Sequence, residues 1–354
     1  MEFGVFIPIA NDGWIMSETS PHYMPTFELN KQICQDAEKY GFGFALSMIK
    51  LRGYGGTTEH WDYALESFTL MAGIAAVTER IKLYATVATL TIPPAILARM
   101  AVTIDSIAQD RFGINIVSGW NRSEYAQMGI WPGDDFYDYR YDYSTEYVTI
   151  LKELWATGHS DFKGTYFQME DCQVKPLPAG KIEIVSAGAS PRGQQFTAEL
   201  CDYNFTGSDT PGPEGIRKVN AALAEAAAKT GREVHNYFSR MVIMDDTDEL
   251  AQARVDKYNA GTDHAAKAFA KSQAGLDTKS QGTSARQLNA PSQAVQPRAI
   301  IGSPQTVANY FNELAEADPN VATMLTFDDF LEGIERFGKE VIPLLDHKPA
   351  ILAG

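Results

Sequence analysis

Positive charge is in short supply. The 354 residues carry 30 Lys and Arg against 45 Asp and Glu, a formal net charge of -15, and sustained binding to nucleic acid or to an anionic lipid surface is excluded because both need a basic face. A small neutral or cationic ligand, or an anion gripped locally, fits this balance better. Cysteine is also scarce. Cys34, Cys172 and Cys201 are odd in number and widely spaced, so they make neither a disulfide framework nor a metal-site pattern and point to a reducing compartment. No apolar run is long enough to cross a bilayer. The chain opens directly into the apolar stretch Phe3 to Ile9, without a basic leader or a small-residue cleavage site. Together these features predict a cytoplasmic protein with no nucleic-acid and no membrane partner.

Familiar catalytic signatures are missing as well. There is no Gly-x-Gly-x-x-Gly after a strand, no phosphate-binding P-loop, no His-Glu-x-x-His and no Gly-x-Ser-x-Gly elbow. The histidines, at positions 22, 60, 159, 235, 264 and 347, show no ligand spacing, and no metal is expected. Spacing alone leaves a hydrolytic triad open, because triad residues meet in space rather than in sequence.

What is present is a regular alternation of short strand-like runs with helical patterns, the mark of βα units around a parallel sheet. Strands are predicted near Glu2 to Pro8, Gly43 to Met48, Ile81 to Ala88, Phe112 to Ser118, Ile182 to Ala187, Tyr203 to Thr206, Phe238 to Met244 and Val321 to Phe327. Eight is the barrel number, so the expected fold is α/β, a (β/α)8 TIM barrel formed as one domain over residues 1–354. Helical spacing of Leu29, Ile33, Ala37 and Tyr40, and of Ile96, Leu97, Met100, Ile104 and Ile107, supplies faces that a sheet should cover. Gly302-Ser303-Pro304 reads as a loop, an N-cap and a first-turn proline, followed by Val307, Tyr310, Phe311 and Leu314 on one face.

Two insertions interrupt the pattern. Residues 157–180, with Lys163-Gly164, Asp171-Cys172 and Pro176-Leu177-Pro178, read as an inserted hairpin. Residues 264–298 are rich in Ala, Gln, Ser, Lys and Thr and nearly free of aromatics. Little burial is expected there against the ordering entropy, so the segment is read as a lid or as disordered.

Candidate site residues gather at predicted strand ends, where barrels keep their chemistry. Lys50 closes the second strand and opens the loop Leu51-Arg52-Gly53-Tyr54-Gly55-Gly56; the bland alternative is a solvated lysine before a glycine-rich turn. Thr86 and Thr89 sit among apolar neighbours in the third strand, where threonine is ordinarily just a β-former. Asn115 is more informative, since asparagine is disfavoured in strands and a buried amide needs partners that an inward-facing ligand can supply. Gly119-Trp120-Asn121-Arg122-Ser123-Glu124-Tyr125 then presents an aromatic, an amide and a carboxylate together. A core lid is the plain reading of Trp120, and a first-turn acid that of Glu124. In Tyr139-Arg140-Tyr141 an arginine between tyrosines could pair with a phosphate in bidentate fashion, the plain reading being a common surface arginine beside tyrosines. Ala187-Gly188-Ala189-Ser190-Pro191 places small residues and free amides at a helix start, or simply an N-cap serine.

Taken in order, the stretches "MPTFELN", "FALSMIKLRGYGG", "ESFTLMAGIAAVTERIKLYATVATLTIPPAILARM", "RFGINIVSGWNRSEY", "MGIWPGDD", "RYDYSTEYV" and "LTFDDFLEGIERFG" resemble the pyrimidine-cleaving branch of the luciferase-like flavin monooxygenases. The resemblance runs from about Phe3 to Leu345. It implies a luciferase-like barrel with FMN contacted by Ile49, Lys50, Asn115, Glu124, Arg140, Tyr141 and Ser190. It also implies that Thr86 and Asn115 line the pocket where oxygen meets the reduced flavin, with Trp120, Asn121 and Phe205 beside the substrate. Lys50, Thr86 and Asn115 are the expected catalytic set, with Lys50 or backbone amides as donors to a developing oxyanion. Reduced FMN would arrive as a co-substrate from a separate NAD(P)H:flavin reductase, O2 would be consumed, and the ring of uracil or thymine would open at C4 to a ureidoacrylate peracid. Pairing with further copies of the chain is implied too.

Two departures bear on the substrate. Ser118-Gly119-Trp120-Asn121-Arg122-Ser123-Glu124 stands where that branch has Thr-Gly-Trp-Gln-Lys-Pro-Glu, and residues 186–215 also differ. Asn121 in place of glutamine withdraws an amide by about one methylene, and a lost polar contact can cost orders of magnitude in specificity. Other readings therefore stay open: another nitrogen heterocycle, a sulfone or a chlorinated aromatic as substrate; deazaflavin hydride transfer without O2; or flavin binding without turnover.

Overall fold

All eight apolar runs form strands: β1 (Glu2–Ile7), β2 (Phe44–Ser47), β3 (Lys82–Ala88), β4 (Phe112–Val117), β5 (Glu183–Ser186), β6 (Tyr203–Thr206), β7 (His235–Met244) and β8 (Ala322–Phe327). The computed structural model describes residues 1–207, 210, 212–279 and 282–349. Each strand pairs in parallel with the next, and β8 returns to β1 with Ala322 opposite Glu2. The eight strands therefore close into a barrel.

Period-two alternation decides what fills the barrel. Phe44, Tyr84 and Tyr237 form one buried layer, with the Phe44 and Tyr237 rings stacked at 4.2 Å and Tyr203 stacked on Tyr237 at 4.4 Å. Two glycines make the room: a Cβ on Gly4 would lie 2.3 Å from the Phe44 ring, and one on Gly113 would lie 2.5 Å from Tyr84. Burial of each such ring contributes roughly 1.5–3 kcal/mol. Two residues further along the same strands come Phe6, Thr86, Asn115, Phe205 and Ser239, which line a cavity instead of filling it. The aromatic layer is thus the floor of the site, and the smaller polar layer above it is the wall.

Helices cover the outside as their periodicity requires. Helix Phe27–Lys39 starts on Thr26, whose hydroxyl accepts from the Leu29 amide, and buries Ile33 and Ala37. Helix Pro304–Ala317 starts on Ser303 in the same way and buries Val307, Phe311 and Leu314. In helix Pro94–Ala108 the covered face differs from the expected one. Leu97, Ala98, Ala101, Ile104 and Ala108 pack inward, while Ile96 and Ile107 remain 52% and 40% exposed. Ala98, Ala101 and Ala108 share the inward face with Leu97 and Ile104, so the covered stripe runs through the alanines and leaves Ile96 and Ile107 outside it.

Within 157–180, His159–Ser160 and Cys172–Gln173 pair antiparallel, with Lys163 bridged to Gln168. A short strand not expected from sequence, Ile300–Gly302, adds beside the upper end of β7. The described part of 264–298 is ordered against the barrel, with helices His264–Ala274 and Thr283–Leu288. The expectation of little burial is corrected here: Ala266 and Ala270 are sealed against Tyr54, Trp61 and Phe269. Alanine buries little area per residue, but it lets a helix sit directly on aromatic rings. Among the described residues no helix is long and apolar enough to cross a membrane.

Candidate active site

The C-terminal ends of the strands open into a cavity of about 330 Å³, in the size range of small-molecule sites. It shares Trp14, Trp61, Ser239, Gln287 and Arg298 with a neighbouring hollow of about 340 Å³. Of the residues singled out from sequence, Ile49, Lys50, Thr86, Asn115, Trp120, Asn121, Glu124, Arg140, Tyr141 and Phe205 all border the mouth cavity. Residues scattered over more than a hundred and fifty positions are brought together because each follows, or lies within, a barrel strand or the helix after it.

Lys50 extends from the end of β2 to the Glu124 carboxylate, and the two side chains are only 5% and 6% exposed. The ammonium also lies 3.4 Å from the Tyr54 hydroxyl and over the Tyr54 and Trp61 rings at 4.4 and 5.2 Å. Burial alone would depress the lysine pKa; the oxygens of Glu124 and Tyr54 more than offset it, and Lys50 is held above its ordinary value. Glu124 is itself fixed from two sides. Asn121 Nδ2 donates to its Oε1 at 3.0 Å and the Leu51 amide donates to its Oε2 at 3.4 Å. Asn121 caps helix Arg122–Ala126, its Oδ1 accepting from the Ser123 amide and hydroxyl. Although it borders the cavity, its amide is thus engaged chiefly in holding Glu124 and the helix start.

Asn115 faces Thr86 across the β3–β4 ladder. The Thr86 hydroxyl donates to the Ser47 carbonyl and accepts from Asn115 Nδ2 at 3.0 Å. That donor order fixes which end of the amide is which. Asn115 Oδ1 is left buried at the cavity wall with no partner among the described residues.

At the other end of the cavity Arg140 projects from helix Phe136–Thr157, its guanidinium 5.7 Å from both the Tyr137 and Tyr141 rings. Its Nη1 donates to Asp277 Oδ2 at 3.0 Å. Ser190 does not border the cavity. It caps helix Pro191–Leu200 by accepting from the Gly193 amide at 3.1 Å, and Gly282 lies over it, a Cβ there falling 3.1 Å from the Ser190 nitrogen. A Cβ on Gly193 would come 2.6 Å from the Tyr141 hydroxyl, so the missing side chain lets that tyrosine close on the helix start.

Several wall residues were not singled out from sequence: Phe6, Trp14, Tyr54, Trp61, Thr283, Ser284, Arg286 and Gln287. Phe6 was findable from strand alternation, two positions beyond Gly4. Residues 283–287 carried no local signal. Behind the Lys50 wall His60 is fully buried and stacked on Trp61 at 4.9 Å, with neither ring nitrogen hydrogen-bonded among the described residues. Burial, aided by the Lys50 charge, pushes its pKa down to about 3. Among the described residues no group of His, Cys, Asp and Glu is placed to hold a metal ion.

Comparison with known proteins agrees with this geometry. The sequence model described as luciferase-like monooxygenase matches residues 1–319. The chain is 58% identical over 356 residues to the pyrimidine monooxygenase RutA of a Bradyrhizobium species, covering 99% of each chain. It is 54% identical over 349 residues to the protein of the same name from Caulobacter vibrioides, covering 98% of each. Among solved structures, a riboflavin lyase superposes with a TM-score of 0.83 at 19% identity, covering 99% of this chain and 94% of that one. A long-chain alkane monooxygenase superposes with a TM-score of 0.77 at 18% identity, covering 97% and 90%.

Proposed function

This chain belongs to the luciferase-like monooxygenase family, and from that premise we propose that it is an FMN-dependent pyrimidine monooxygenase that opens the ring of uracil or thymine at the C4 amide. The relatives more than half identical over nearly the whole chain are named as pyrimidine monooxygenases. The observation that carries the reading to this site is the sealed Lys50–Glu124 pair bordering the cavity. A cyclic imide presents N–H donors beside carbonyl acceptors, and an ammonium next to a carboxylate matches that alternation. Trp120 and Phe205 border the same cavity and offer apolar faces to a flat ring.

The residues present fit a flavin mononucleotide. Asn115 Oδ1 is a buried acceptor in need of a donor, and a reduced flavin carries ring N–H groups that can supply one. Arg140 supplies a guanidinium, sealed by tyrosine rings, suited to a phosphate. Ile49, Lys50, Asn115, Glu124, Arg140, Tyr141 and Ser190 would hold the cofactor, Ser190 once the cover of Gly282 yields. Reduced FMN, delivered by a separate NAD(P)H:flavin reductase, supplies the electrons with which O2 is activated. The chain's own part is to bind, orient and keep water out. Lys50, which borders the cavity, would donate to the C4 oxygen as negative charge develops there; loss of such a donor commonly costs on the order of a hundredfold in rate. Thr86 holds the Asn115 amide in one orientation, and Thr283, Ser284, Arg286 and Gln287, which border the cavity, would help exclude water so that activated oxygen is spent on the substrate.

The reading is tested by supplying the purified protein with FMN, a flavin reductase, NADH and a panel of uracil, thymine, other nitrogen heterocycles, a sulfone and a chlorinated aromatic. Oxygen-dependent loss of uracil or thymine ahead of the rest is expected. Turnover confined to the sulfone or the chlorinated aromatic would overturn the substrate, and hydride transfer without oxygen uptake would overturn the reaction.

A further inference from the structure

The segment 264–298 reaches the anion-gripping end of the cavity through one buried carboxylate. Asp277 is sealed from solvent, and a single one of its oxygens, Oδ2, accepts from Arg140 Nη1 at 3.0 Å and from the Ser284 hydroxyl at 3.0 Å. Both Asp277 and Ser284 belong to that segment, whereas Arg140 belongs to the barrel's helix Phe136–Thr157. The rest of the Arg140 guanidinium makes no hydrogen bond to a described residue, and the side chain borders the cavity. Gly282, between Asp277 and Ser284 in the chain, lies against the Ser190 amide.

The geometry points to Asp277 as a positioning residue for the phosphate group of the cofactor: by engaging Nη1 it turns the remaining N–H groups of Arg140 toward the cavity. A guanidinium is a rigid planar fork, so anchoring one nitrogen fixes the direction of the others. Left unanchored, a side chain with four rotatable bonds spreads over many rotamers, and a phosphate must order it on binding. Asp277 thereby acts on the phosphate site through Arg140, with Ser284 holding the carboxylate in place. This rests on the reading of Arg140 as the phosphate contact given above.

Binding, rather than turnover, tests it. Oxidised FMN and riboflavin, which differ by the phosphate alone, are titrated into the full-length protein and into Asp277→Asn, following flavin fluorescence. Wild type should prefer FMN. Asp277→Asn should lose about tenfold in FMN affinity, the worth of one charge-assisted hydrogen bond, with riboflavin affinity unchanged, and Asp277→Glu should recover part of the preference. If Asp277→Asn does not fold, Ser284→Ala should show the same selective loss in smaller measure. Equal losses for both flavins would mean a merely structural role, and tighter FMN binding would mean that the carboxylate competes with the phosphate; either overturns the proposal while leaving Arg140 as the phosphate contact. Wild type without a preference for FMN would overturn that contact and the proposal together.

Discussion

Lys50 and Glu124 meet at the barrel mouth with their charges almost wholly withdrawn from water. Such a pair contributes little net stability while intact, but the loss of one partner strands the other in a place where it cannot be solvated. Lys50→Met alone should therefore destabilise the fold by about 3–5 kcal/mol. Adding Glu124→Gln should restore most of that loss without restoring ring opening, which should stay down by on the order of a hundredfold or more. Urea denaturation and uracil turnover, measured on the same preparations, check both halves. A single variant as stable as wild type, or a double variant with full turnover, would contradict this account of the pair.

Because Lys50 is held above its ordinary pKa of 10.5 in the fold, its share of stability is fully present below that value and is lost only as pH rises beyond it. His60 behaves in the opposite sense. Its folded pKa is depressed to about 3 from 6.5, so the unfolded chain takes up a proton first as pH falls. Stability should then drop by about 1.4 kcal/mol for each pH unit below 6.5 on account of this one group. His60→Phe keeps a flat ring against Trp61 and removes the titration. Chemical denaturation at several pH values between 7 and 4 should show a shallower slope for the variant, and identical slopes would contradict the prediction.

Asn115 separates structural from functional cost. Its Oδ1 has no partner among the described residues, so replacing the amide with leucine removes a buried acceptor as well as the bond to Thr86. Asn115→Leu should change stability by no more than about 1 kcal/mol while reducing turnover by about a hundredfold. A large loss of stability with turnover intact would reverse the assignment.

Asp263 caps helix His264–Ala274 and accepts from the Thr58 amide and hydroxyl at 2.8 Å each. Asp263→Ala should cost about 1–2 kcal/mol locally, as loss of a helix cap does. Limited proteolysis should then cut within this helix faster than in wild type, with the unfolding midpoint of the barrel little moved. Unchanged cleavage would mean that the helix is held elsewhere.

How much of this was legible in the sequence follows from the range of each signal. The eight strands were readable because burial on both faces makes apolar runs bounded by turns, and Tyr203 to Thr206 even matched at both ends. Asn115 stood out because an amide within a barrel strand is locally out of place, whereas Lys50 and Arg140 have ordinary local readings and were singled out through the family resemblance. The segment 264–298 was opaque because Ala266 and Ala270 look uninformative in sequence, and what buries them is the distant Tyr54–Trp61 surface. Asp277 was passed over altogether, since its significance is a contact with a residue 137 positions away. Ile96 and Ile107 misled because the buried stripe is carried partly by Ala98, Ala101 and Ala108, which weigh little in an apolar periodicity.

The central claim is that this barrel spends O2 and reduced flavin on a pyrimidine. Uracil at 260 nm is followed with chemically reduced FMN, first in anaerobic buffer and then after oxygen is admitted. The account predicts no change before oxygen and a stoichiometric loss of ring absorbance after it, dependent on the protein. Loss under anaerobic conditions, or flavin oxidation by oxygen with uracil left intact, would contradict it.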